Sequence, residues 1–242
     1  QATTPKGKAG ARLAVRLLDA NGRAVAQKNL TANAQGTAAV QLNIANAKAW
    51  SPEQPYLYTL EVNLYQGNKL ADRLRQRVGI RTVAVSKEHG FQLNGQSRKF
   101  KGVCLHHDLG PLGAAVNKAA IIRQIRLMKD MGVDAIRTSH NMPSQMQMQV
   151  CDSMGMMVMA ESFDAWKEPK VKNGYNLFYD QWWRKDLENL IRGHRNHPSI
   201  VMWSIGNEIP EQWNKEGAQR AKDMTDYCHQ LDNTRPVTCG GD

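Results

Sequence analysis

Near residue 86 the hydrophobic pattern of this 242-residue chain changes its period. Before that point apolar residues recur at every second position: Leu13, Val15 and Leu17, then Val40, Leu42 and Ile44, then Tyr58, Leu60, Val62 and Leu64. Successive side chains of a strand point to opposite faces, so this is the signature of half-buried strands. After it, short apolar runs over residues 100–105, 133–137, 156–160 and 200–205, and one beginning at Pro236, alternate with amphipathic stretches. Helices are expected near residues 117–131, 143–154, 177–193 and 215–230. Asn117 supplies a cap for the first, and Gly132 and Gly155 supply stops for the first two. Strand and helix alternating with short connections require a parallel sheet, either doubly wound or closed into a (β/α) barrel.

Turn chemistry divides the first part. Asp19-Ala20-Asn21-Gly22 joins the first strand to a run over residues 23–30, and Gln66-Gly67-Asn68-Lys69 joins the fourth strand to a fifth. Several short strands without a helical period predict a small β-sandwich over residues 1–85. The strand–helix unit then covers residues 86–242, entered through a short hairpin over residues 91–96.

Polar groups gather where the parallel strands end. His106, His107 and Asp108 follow the first run; Arg137, Ser139, His140 and Asn141 end the second; Glu161 and Asp164 follow the third; Asn207 and Glu208 end the fourth. Barrel active sites are assembled from the C-terminal ends of several strands. No GxGxxG follows the first strand, as a dinucleotide-binding sheet would require. A barrel is therefore favoured.

Composition removes other classes. No segment approaches the ~18 consecutive apolar residues of a membrane span. The net charge of +10 would suit nucleic acid, but its distribution does not. Residues 1–85 hold 12 Lys and Arg against 4 Asp and Glu, and the remainder holds 20 against 18. The surplus alternates with apolar residues, as at Arg73, Arg75 and Arg77, and reads as the wet face of a sheet. Neither a nucleic-acid nor a membrane partner is expected. Cys104, Cys151, Cys228 and Cys239 form no CxxC pair and lie in apolar or helical stretches, where buried free thiols are expected and a zinc site is not. The chain begins at Gln1 without an initiator Met or signal-like segment, consistent with a removed leader or with excision from a longer protein.

The sharpest chemical signal is Trp203-Ser204-Ile205-Gly206-Asn207-Glu208. A strand-end carboxylic acid can protonate a leaving oxygen and later deprotonate water, and a neighbouring amide can both donate to and accept from a sugar hydroxyl. On residue chemistry alone a strand-end glutamate such as Glu208 is more often a structural ion-pair partner than a catalytic acid. His106 is either a ligand or a satisfied core histidine, and Arg137 either a sugar contact or a barrel-floor ion pair. His197, before Pro198, reads as structural. Of Trp182 and Trp183, at least one is expected in the core.

Six stretches in order resemble glycoside hydrolase family 2, the β-galactosidase, β-glucuronidase and β-mannosidase family. They are residues 50–58 (WSPEQPYLY), 78–81 (VGIR), 93–95 with 101–103 and His106, 129–141 (KDMG through RTSHN), 195–208 (RNHPS through NE) and 232–237 (DNTRPV). The resemblance implies an immunoglobulin-like sandwich followed by about strands one to five of a (β/α)8 barrel, and retaining hydrolysis of a β-glycoside through a glycosyl-enzyme intermediate. It assigns Glu208 as general acid/base and Asn207 as the holder of the sugar 2-hydroxyl. It places His106, Arg137 and His140 along the sugar subsite, with Asp164 and Glu161 matched on the third-strand loop. It implies no organic cofactor, and the sequence offers no metal ligand set.

The sequence departs from the family pattern at Gly193-His194, where an Arg-Asp pair often stands, and at Asn141-Met142-Pro143. The family's nucleophilic Glu comes from strand seven, and no residue here matches it. The polypeptide alone is thus expected to be inactive, and the open edges of a half barrel favour pairing with a second copy. His106-His107-Asp108-Leu109-Gly110 and Gly113-Ala114-Ala115 look most like the β-galactosidase branch. Two other readings stay open: a non-catalytic carbohydrate-binding or structural fragment, and a metal-dependent hydrolase using His106 and His140.

Overall fold

The computed structural model describes residues 2–3 and 10–241. By its own contacts the chain falls into two units. One runs to Ala49 and resumes over Tyr56–Ile80; the other joins Trp50–Pro55 to the residues from Arg81 onward.

The first unit is an immunoglobulin-like sandwich. Its main sheet is antiparallel and contains β2 (Arg12–Leu18), β3 (Ala24–Thr31), β5 (Tyr58–Gln66) and β6 (Lys69–Val78), in the order β3-β2-β5-β6. A second, two-stranded sheet pairs β1 (Ala2–Thr3) with β4 (Thr37–Ala38). Both expected turns form; Asp19 closes its own by accepting the Asn21 and Arg23 amides at 2.9 Å each. Register sets Leu13 opposite Leu64 and Val15 opposite Val62 on the apolar face. On the other face Arg16, Glu61 and Arg75 lie abreast. Glu61 is buried beneath the two arginines and accepts from Arg75 at 2.7 Å and Arg16 at 3.3 Å. Arg75 of the stripe is therefore wet but tied down, and it holds the Glu61 carboxyl below its ordinary range despite burial. The strand expected over Val40, Leu42 and Ile44 does not form. The segment keeps the alternating burial of an extended chain but, among the described residues, has no ladder partner beyond Ala38.

In the second unit a three-stranded sheet comes first: β7 (Val83–Ser86), β8 (Gly90–Leu93) and β9 (Gln96–Ser97). Asn94 and Gly95, both at positive φ, make the β8–β9 turn. Five strands follow, all parallel and adjacent in chain order: β10 (Gly102–His106), β11 (Ala135–Ser139), β12 (Met157–Glu161), β13 (Ile200–Asn207) and β14 (Val237–Gly240). That order, with helices between, is the first part of a (β/α)8 barrel. The connecting helices are α1 (Lys118–Asp130), α2 (Gln145–Met154), α3 (Tyr179–His194) and α4 (Lys215–Leu231). Asn117, Ser144 and Asn214 cap α1, α2 and α4 by accepting a backbone amide three residues on. Gly155 ends α2 in the left-handed conformation. It also lies against Pro52, whose carbonyl occupies the space a Cβ would need.

Alternation along the strands sorts the side chains. Val103, Ile136, Val158, Trp203 and Val237 pack outward against the helices, where Ile125, Leu187, Leu190, Ile191 and Met224 are fully buried. Gly102, Cys104, Arg137 and Met159, at the alternate positions, border a cavity of about 160 Å³ that Val103, Ile136 and Val158 also reach. Cys104 is exposed and Cys239 half-buried, which corrects the expectation that all four thiols are buried. At the other end of the strands, His197 bonds Asp152 Oδ2 through Nδ1 at 2.5 Å and Gln145 through Nε2 at 3.0 Å, while Ser199 donates to Asp152 Oδ1. His197 is structural, as its sequence context suggests. Trp183 packs against the core and stacks on Tyr179, while Trp182 lies on the surface beside Lys185.

Candidate active site

The parallel register aligns the strand ends. His106 sits opposite Ser139, Glu161 opposite Ser204, and Asn207 opposite Gly240. Of the candidate site residues, His106, His140, Glu161, Asp164, Asn207 and Glu208 therefore lie at one edge of the sheet or in the loops just after it, while Arg137 stands two residues back on β11, opposite Cys104.

Glu161 forms the floor of the cluster. It is 0% exposed, and three side chains engage its carboxylate. Arg137 Nε donates to Oε2 at 2.7 Å, Ser204 Oγ donates to the same oxygen at 2.5 Å, and His140 Nδ1 meets Oε1 at 2.7 Å. Its backbone amide donates to Thr138 Oγ1 at 3.0 Å. A carboxylate in such a dry position is tolerable only because cation and donors surround it. Burial works against the Arg137 charge, but the pairing with Glu161 prevails and holds its guanidinium above the ordinary value.

Arg137 then reaches across the strands. Its Nη2 donates to Asn207 Oδ1 at 2.8 Å, and Asn207 Nδ2 donates to Asp164 Oδ1 at 3.0 Å. Gly240 makes this reach possible, because the Arg137 guanidinium occupies the space a Cβ at that position would take. His106 is exposed and meets the His140 ring edge to face, with centroids 5.1 Å apart. Burial tends to raise the Asp164 carboxyl, but Lys170 and Asn207 outweigh it and leave it below its ordinary range.

Glu208 follows directly. It is exposed, stands at φ +43°, and donates its backbone amide to Gly240 O at 2.8 Å. A non-glycine residue at positive φ costs conformational energy and persists only where the surroundings impose it. The side chain thus projects from a fixed strand end beside Asn207. His106, Arg137, His140, Glu161, Asp164, Asn207 and Glu208 thus come from neighbouring strand ends, with Glu161 enclosed and His106, Asp164 and Glu208 exposed.

Two residues of this neighbourhood carry no sequence signal. Ser204 is an ordinary strand serine until its partner is known. Lys170, in a charged loop without period, donates to Asp164 Oδ1 at 3.0 Å and to the Asn207 carbonyl at 2.7 Å. Among the described residues, no three or more His, Cys, Asp or Glu side chains converge as a metal site, and His140 commits Nδ1 to Glu161.

Residues 83–242 match the family model described as glycosyl hydrolases family 2, TIM barrel domain, and residues 2–81 match that of glycosyl hydrolases family 2. A β-galactosidase of Bacteroides ovatus is 39% identical, over 93% of this chain and 30% of its own length. Human β-glucuronidase is 34% identical, over 96% of this chain and 35% of its own. The crystal structure of a glycosyl hydrolase family 2 member from Bacteroides cellulosilyticus superposes with a TM-score of 0.92 at 39% identity, covering 98% of this chain and 31% of that one. The chain spans roughly a third of the length of these relatives.

Proposed function

Because this chain belongs to glycosyl hydrolase family 2, we propose that it carries the acid/base half of a retaining β-galactosidase, with Glu208 as the proton-transfer group. The observation that carries the reading is the placement of Glu208: exposed, at positive φ, and next to an asparagine that is fixed from both sides.

In the first step Glu208 protonates the glycosidic oxygen while a carboxylate attacks the anomeric carbon and the aglycone departs. In the second, Glu208 takes a proton from water as the water displaces that carboxylate. An asparagine amide nitrogen carries two donors. Asn207 spends one on Asp164 and offers the other to the sugar 2-hydroxyl. Its orientation is set by Arg137, since Oδ1 accepts from Nη2. His106, the remaining nitrogen of His140, Arg137 and the second oxygen of Asp164 line the hydroxyls of the same sugar, with Glu161 beneath them.

The retaining route needs a second carboxyl group about 5–5.5 Å from the first. Glu161 is enclosed with both oxygens engaged, and Asp164 is held by Lys170 and Asn207. We assign the nucleophile to neither, and place it on a part of the enzyme outside these 242 residues. The polypeptide by itself is then inactive; glycoside turnover by it that Glu208→Gln abolishes would refute this.

Pairing of charges supports a neutral sugar. Arg137 is matched with Glu161 and Lys170 with Asp164, so the two cations of the cluster are spent on the chain's own carboxylates. The relatives named β-glucuronidase make a glucuronide the competing substrate. Comparing kcat/KM of the intact protein for nitrophenyl β-galactoside and β-glucuronide decides between them. Preference for the glucuronide would overturn the galactoside reading and leave the acid/base reading standing.

A further inference from the structure

Lys170 touches the cluster where the sequence gives no reason to look. Its ammonium is bound to Asp164 Oδ1 at 3.0 Å and to the backbone carbonyl of Asn207 at 2.7 Å. That carbonyl belongs to the peptide group joining Asn207 to Glu208. The N–H of the same peptide group donates to Gly240 O at 2.8 Å. The plane of the Asn207–Glu208 peptide is therefore held on both sides, from β14 through the N–H and from the β12–α3 loop through the C=O. Just beyond it stands Glu208 at φ +43°. Rotation of this peptide would swing the Glu208 side chain, and the two bonds oppose it.

We infer that Lys170 is a positioning residue for Glu208: it clamps the Asn207–Glu208 peptide and, through Asp164, the Asn207 side chain. The inference rests on the acid/base role of Glu208. Asp164 is the second half of the device, because it accepts from both Lys170 and the Asn207 side chain. One ammonium thus fixes Asn207 through its main chain directly and through its side chain by way of Asp164.

The loop that presents Lys170 is anchored well enough to serve. Phe163 and Trp166 are 2% and 1% exposed. Trp166 Nε1 donates to Ile205 O at 2.7 Å on β13 itself. Glu211, fully buried after β13, accepts the Lys167 amide at 2.9 Å and the Glu168 amide at 3.3 Å. Trp166, Lys167 and Glu168, between Asp164 and Lys170, are thus tied to the strand that carries Glu208 or to the segment after it.

A clamp on the proton donor predicts a loss that depends on the leaving group. Misplacement by about 1 Å costs on the order of 100-fold where geometry matters, and only a poor leaving group needs the proton. In the intact protein, Lys170→Met is expected to lower kcat/KM for methyl β-galactoside by about 10- to 100-fold. It should leave kcat/KM for a dinitrophenyl β-galactoside within about threefold, since that aglycone departs unprotonated. Azide should raise the variant's kcat on the dinitrophenyl substrate by replacing water that now lacks its base. Lys170→Arg, which can still donate to both acceptors, should recover most of the loss. Should the intact protein cleave glucuronides instead, the same two aglycones on that sugar serve. An equal fall on both substrates, or none on either, overturns the inference. Glu208→Gln measured in parallel separates the two layers: the same split in Glu208→Gln but not in Lys170→Met defeats the clamp alone, whereas no split in Glu208→Gln defeats the acid/base reading and the clamp with it.

Discussion

Glu161 and Arg137 are joined by a 2.7 Å hydrogen bond between Nε and Oε2, and the carboxylate side of that pair has no contact with solvent. The pair links β11 to β12, and Arg137 carries the link to Asn207 on β13. Glu161→Gln keeps the shape but removes the charge and presents an amide where Arg137 and Ser204 both donate. Breaking a buried pair typically costs about 3–5 kcal/mol, with the lower end expected because Arg137 is partly exposed. Urea unfolding should show that loss, and kcat/KM should fall about 10- to 100-fold for good and poor leaving groups alike. A variant of unchanged stability and activity would mean that the floor does not organise the site.

Gly240 makes a sharper structural prediction. Its Cβ would collide with the Arg137 guanidinium, which cannot retreat without leaving Glu161 or Asn207. The Gly240 carbonyl would still accept from Glu208 in the alanine variant. Gly240→Ala should therefore displace Arg137 from Asn207, cost about 1–3 kcal/mol of stability and lower kcat/KM, with the altered guanidinium position visible in a crystal structure. Unmoved Arg137 and unchanged kcat/KM would contradict this.

The departure at Gly193-His194 has a consequence for pH. His194 is 2% exposed, its Nδ1 has no hydrogen-bond partner among the described residues, and its ring lies 5.7 Å from that of His197. Burial first, and His197 second, push its pKa down from 6.5 to about 4. The unfolded chain then binds a proton that the native state refuses between those values. Stability is complete above pH 6.5 and falls as the pH drops toward 4, by a total on the order of 3 kcal/mol. His194→Leu should flatten that part of the stability–pH curve measured by denaturant unfolding; an unchanged slope would place the acid sensitivity elsewhere.

Much of this was legible beforehand because it follows from period. The alternation of strand and helix after residue 86 located five parallel strands, and the polar residues at their ends located the cluster. What escaped had no periodic trace. Residues 40–44 alternate as a strand should, yet pairing needs a neighbour that local pattern cannot announce. Cys104 lies on an apolar strand but on its inner face, so apolar surroundings in sequence did not mean burial in space. The segment Trp50–Pro55 reads as part of the sandwich, whereas its contacts lie with the other unit: Trp50 Nε1 donates to Asp152 O at 2.8 Å. Lys170 stands in a run of charges that resembles a solvated loop, and its contacts with Asp164 and the Asn207 carbonyl distinguish it from Lys167, which pairs with Asp180.

The role of Glu208 is tested most directly by replacing its carboxylic acid with an amide. Glu208→Gln in the intact protein should lower kcat/KM for methyl β-galactoside by about 10²–10⁴-fold. It should spare the first step with a dinitrophenyl aglycone, and turnover of that substrate should be restored by azide with formation of a glycosyl azide of retained configuration. Undiminished hydrolysis of the methyl glycoside by the variant, or a loss equal for both aglycones and indifferent to azide, would contradict the assignment.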